Sequence, residues 1–62
     1  MFDRKTYLNY FEIIKEKEET MILTLNEALS FTENPRTRDV LESILKDEYV
    51  HKKLVDEVIG QL

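Results

Sequence analysis

A chain of 62 residues has room for one small domain, and a core that small is marginal without a disulfide, a metal or a partner chain. It has no cysteine, which excludes disulfides, thiolate metal sites and cysteine nucleophiles and leaves a metal, a partner or both. The net charge of −4, with acidic residues spread along the chain, supplies no basic stripe for nucleic acid and no polybasic arm for anionic lipid.

Met1-Phe2-Asp3-Arg4-Lys5 is followed by no uninterrupted apolar run, so neither a signal peptide nor a membrane span is expected. With the absence of cysteine, this makes a reducing cytoplasm the expected location. A single Gly and a single Pro point to helices with little loop between them.

Asp3 or Thr6 can cap a first helix, expected over about residues 4–32. Its apolar residues recur at helical spacing: Tyr7, Phe11, Ile14, then Met21 or Ile22, Leu25, and Ala28 or Leu29. Position 18 fills the gap in that stripe, four after Ile14 and three before Met21, and it is a glutamate. The surrounding Lys15, Glu16, Lys17 and Glu19 read as a solvated cluster with local Glu–Lys pairs.

Thr32-Glu33-Asn34-Pro35 breaks the pattern, with the turn at 33–34. Asn34 is a good N-cap and Pro35 a good first helical residue, so a second helix is expected over about 35–61. A break this short favours an antiparallel hairpin. Helix two then reads Val40/Leu41, Ile44/Leu45, Glu48, His51, Leu54/Val55 and Val58/Ile59, with Glu48 and His51 interrupting the apolar stripe at mid-length.

If the hairpin turns near residue 33, Glu18 and Glu48 lie equally far from the turn and arrive at the same level, because both helices rise at the same rate. His51 is one turn further along, on the face of Glu48. Three polar groups thus converge on an apolar side. An ionised carboxylate there loses several kcal/mol of effective solvation, roughly, against only about 5 kcal/mol of total stability in so small a chain. A divalent cation neutralises such a group.

The ligand count is informative. A four-helix di-metal carboxylate site takes one Glu from each of two helices and a Glu-x-x-His from each of the other two. This chain holds half of that set, so two chains related by a two-fold axis would complete it. Four glutamates then balance the charge of two divalent ions, with both His neutral. Carboxylate with imidazole suits Fe, Mn or Zn better than Mg or Ca. Asp47, four before His51, could orient its second ring nitrogen, although a solvent-facing role is the blander reading. Tyr49, Tyr7, Tyr10 and Phe11 read as packing or interface residues.

The segment from Glu18 to His51 resembles the ferritin-like half-bundles, most closely the encapsulated ferritins, whose helix-one Glu stands thirty residues before a Glu-x-x-His, as Glu18 does before Glu48. Pro35 and the following Asp39-Val40-Leu41 are also similar. The resemblance implies a two-helix protomer, an all-α four-helix bundle formed by a homodimer or higher homo-oligomer, an intersubunit di-iron centre and ferroxidase activity. It makes Glu18, Glu48 and His51 the metal ligands and catalytic residues.

The sequence departs from that pattern at Lys17 and Thr20, where the family has further acidic residues proposed to bind incoming ions. It also departs at Thr24-Leu25, where the family has an aromatic pair. A third short helix and a tail docking into an encapsulin shell are family features without a counterpart before Leu62, so a shell partner is not implied. Rubrerythrin-type domains share the same Glu plus Glu-x-x-His logic, normally with both halves in one longer chain.

The expectation is therefore an iron-binding, ferritin-like hairpin acting as a ferroxidase with an intersubunit di-iron centre, Mn or Zn being the alternative metals. The competing expectation is a non-catalytic structural or regulatory hairpin dimer whose polar layer fixes register.

Overall fold

The computed structural model describes residues 3–62; Met1 and Phe2, which enter the expectation about the N-terminus, lie outside them. Two long helices, α1 (Arg4–Phe31) and α2 (Pro35–Gln61), pack against each other as an antiparallel hairpin. Neither is long and apolar enough to cross a membrane.

Local chemistry sets each boundary. Asp3 is the N-cap of α1, its Oδ1 accepting from the Thr6 backbone N–H at 2.9 Å. Asn34 does the same for α2, accepting from the Thr37 N–H at 3.0 Å, and Pro35 supplies a first helical residue whose missing N–H costs nothing there. The first helix stops at Phe31, a residue earlier than the spacing suggests, because Thr32 turns to extended backbone. Arg38 then closes the loose end. Its Nη1 donates to the carbonyl of Leu29 at 2.7 Å, which also accepts from the Thr32 N–H at 3.4 Å, and to the carbonyl of Thr32 at 2.9 Å.

The seam between the helices repeats every three and four residues. In α1 it runs through Leu8, Phe11, Lys15, Glu18, Ile22, Leu25 and Leu29; in α2 through Arg38, Leu41, Leu45, Glu48, Lys52, Val55 and Ile59. Only Leu25 is buried among the described residues, and it keeps 7 % of its surface exposed. This corrects the sequence reading at Tyr7 and chooses between the members of the pairs that the spacing left open. Leu8 rather than Tyr7, and Ile22 rather than Met21, faces α2; Tyr7 and Tyr10 are exposed. The charged cluster is corrected too. Lys15 is not simply solvated: it occupies the seam and its Nζ reaches Asp56 Oδ1 across the hairpin at 3.2 Å.

The residue before each seam position forms a second stripe. On α1 it carries Tyr7, Ile14, Met21 and Ala28; on α2, Val40, Ile44, Leu54 and Val58. One residue back is a rotation of about 100°. Because the helices are antiparallel, that rotation brings both stripes to the same side of the hairpin. The residues just after the seam, such as Glu12, Glu16, Glu19, Glu42, Lys46 and Lys53, lie on the opposite side, which is mostly charged. The hairpin therefore has one apolar face and one polar face. Its surface area is 5140 Å², whereas a compact monomer of its mass exposes about 4,250 Å².

Candidate metal centre

The hairpin register brings Glu18, Glu48 and His51 together. One ligand atom from each lies within 4.8 Å of the other two. Glu18 and Glu48 occupy the seam from opposite helices, each with an apolar residue on the side of the turn, Ile22 on α1 and Leu45 on α2, and a lysine on the other, Lys15 and Lys52. The Lys15–Asp56 bridge on one side of this level and Arg38 on the other hold the helices at a register that keeps the two carboxylates abreast.

The electrostatics of the pair are unfavourable without a counter-charge. The Glu48 carboxylate beside Glu18 raises the Glu18 carboxyl above its ordinary value, chiefly through a hydrogen bond that needs a shared proton. Partial burial and like-charge repulsion push in the same direction, and His51 pulls weakly against them. Glu18 Oε2 is a buried oxygen with no hydrogen-bond donor. That orphaned atom is what a metal ligand looks like before the metal is counted, since a cation supplies the positive partner that no side chain provides. The donor set of two carboxylates and an imidazole fits Fe, Mn or Zn.

His51 departs from the sequence reading. Its side chain is 55 % exposed against 17 % for Glu48, and its Nδ1 lies 3.9 Å from Glu48 Oε1. The two do not share the seam. Three residues turn a helix by about 300°, so His51 stands roughly 60° from Glu48 and belongs to the apolar face. The imidazole thus points past the hairpin's own seam while staying within reach of the carboxylates. Asp47 is exposed on the same face, with no hydrogen bond or ion pair to the other described residues. Tyr49 is exposed on the polar side, away from the seam.

A pair of antiparallel helices carrying Glu on one and Glu-x-x-His on the other is the repeating half of a ferritin-like carboxylate bundle. The family model for rubrerythrin matches residues 1–59, and the chain belongs to that family. Neither the curated proteins nor the solved structures include a match to it. The family sets the ferritin-like, iron-binding class.

Proposed function

We propose that this hairpin is an iron-binding protein that oxidises Fe(II) with O₂ at a di-iron carboxylate centre shared between two copies of the chain. The observation that carries the reading is the Glu18–Glu48 pair, abreast in an apolar seam, with one buried oxygen lacking any donor. Family membership supports iron as the metal. A pair of irons, when bound, supplies the electrons that reduce O₂. Glu18 and Glu48 hold the two ions and balance their charge, and His51 gives each ion a neutral nitrogen ligand. Ile22 and Leu45 lie beside the carboxylates in the seam, which lowers the local dielectric on that side and strengthens their hold on a cation.

The second copy is part of the proposal because one hairpin offers two carboxylates and one imidazole, which is too few for two ions. Mn or Zn would fill the same donor set, and Zn would make the centre structural. The likeness to encapsulated ferritins extends the reading to an assembly larger than a dimer, in a cytoplasmic setting.

Metal analysis of the purified protein, loaded anaerobically with Fe(II), tests the reading. Two ions per pair of chains are expected, with oxygen consumption on exposure to air. One ion or fewer per pair counts against it. So does a Glu48→Ala protein that keeps both its metal and its oxygen-dependent iron oxidation.

A further inference from the structure

The seam carries two lysines as well as two glutamates. Lys15 stands three residues before Glu18 on α1, and Lys52 four after Glu48 on α2, both on the side of the carboxylates away from the turn. Helix neighbours three and four apart lie close enough for their side chains to pair, and a Lys ammonium is a compact charge that can stand in for a metal ion beside a carboxylate. Yet Glu18 Oε2 is buried with no donor. The chain holds the positive charge that would satisfy this oxygen and does not use it.

The geometry shows where that charge goes. Lys15 Nζ is drawn across the hairpin to Asp56 Oδ1, at 3.2 Å. Asp56 directly follows the seam residue Val55, so it stands on the polar side of the hairpin, opposite to the face that His51 occupies. Its hydrogen bond and its charge hold the Lys15 ammonium above its ordinary value, and Glu12 and Glu19 add to this. The groups that act on Glu18 are Glu48 and His51, and Lys15 is not among them. Two seam neighbours of opposite charge are thus kept apart, one tied across the hairpin and the other left bare. Lys52 makes no ion pair with Glu48, whose Oε1 faces His51 Nδ1 at 3.9 Å.

We propose that Asp56 is a positioning residue for the metal centre: it latches the Lys15 ammonium on the polar side of the seam and so keeps Glu18 open for a cation. This rests on the iron centre proposed above and adds what protects it. Lys15 is the competitor. Its Nζ on Glu18 would satisfy the orphaned oxygen and balance its charge without a metal, and an entering ion would then have to displace it. The latch exists only in the closed hairpin, because its two partners lie on different helices. Folding and the clearing of Glu18 are therefore one event.

Three proteins decide the matter: Asp56→Ala, Lys15→Met and the double variant, each as the full chain loaded anaerobically with Fe(II) against a competing chelator. Lys15 and Asp56 are both partly exposed, so the apolar seam stays intact in all three. Both single substitutions break the same bridge, but only Asp56→Ala frees an ammonium. Asp56→Ala is expected to lower metal affinity at least ~10-fold, the scale of one hydrogen bond to a charged group. Lys15→Met should stay within about 2-fold of the parent, and the double variant should match Lys15→Met rather than Asp56→Ala. If the bridge serves only to align the helices, both single variants lose affinity alike and the proposal fails. If overall charge alone matters, Lys15→Met gains what Asp56→Ala loses, and the proposal fails again.

A measurement without metal separates the latch from the iron reading. In chelator at one fixed pH, the carboxyl carbon NMR signal of Glu18 should shift in Asp56→Ala and return when Lys15→Met is added. A signal that does not move in Asp56→Ala overturns the latch, whatever the metal does. A parent protein that binds no iron, while its variants show the shift and its reversal, defeats the iron reading and leaves the latch standing.

Discussion

Replacing Glu18 by leucine should make the metal-free protein more stable, although it destroys the candidate centre. Glu18 Oε2 is buried without a donor, and its carboxyl is crowded by Glu48. A buried polar atom left unsatisfied costs about 1–3 kcal/mol. Leucine removes that cost and extends the apolar seam of Ile22 and Leu25 by one turn. In a domain this small each kcal/mol moves the melting temperature by about 4–8 °C.

With metal the order should reverse. A ligand at about 1,000 times its Kd adds roughly 4.1 kcal/mol to the protein that binds it and nothing to one that does not. Thermal melts followed by circular dichroism, at one fixed chain concentration, in chelator and then in anaerobic Fe(II), measure both. If Glu18→Leu melts below the parent in chelator, the carboxylate was already satisfied and the argument for a missing cation fails.

His51→Ala should leave the metal-free stability within about 0.5 kcal/mol of the parent, as expected of an exposed side chain, while metal affinity measured by competition with a chelator falls by at least ~10-fold. The raised Glu18 carboxyl also ties stability to pH. A group that binds its proton more tightly folded than unfolded stabilises the fold at low pH, and that contribution disappears as pH rises from about 4.5 through the raised folded value. Melting temperatures of the metal-free protein should accordingly decline over that interval, and the decline should flatten in Glu18→Gln. Arg38→Ala removes two charge-assisted hydrogen bonds from the end of α1 and should lower stability by about 1–2 kcal/mol in a urea titration, with no change in metal stoichiometry.

The two helices and the turn between them were legible because local chemistry decides them. Asn34-Pro35 is both a cap and a first turn, and Asp3 needs only Thr6 to act as a cap. Glu18 and Glu48 were legible because each stands where an apolar residue is due. The doubled apolar positions hid the rest. In Tyr7-Leu8, Met21-Ile22, Val40-Leu41 and Leu54-Val55, either member satisfies the helical period. Only the placement of the other helix decides which one enters the seam and which forms the second stripe. For the same reason His51 looked like a seam residue beside Glu48, when 60° of rotation puts it on the open face. Lys15 escaped because a long side chain can leave its own helix, and local spacing carries no sign of Asp56.

The position of Leu25 has a consequence for how the hairpin comes apart. The most deeply buried side chain among the described residues lies between the carboxylates and the turn, on the half that Arg38 also secures. Beyond the carboxylates no residue is buried as deeply as Leu25: Leu8, Phe11, Val55 and Ile59 are only partly buried. The structure is zipped from one end. Amide protons near both chain termini should exchange with solvent first, and those around Leu25 and Leu41 last, with the changeover at the level where Glu18 meets Glu48.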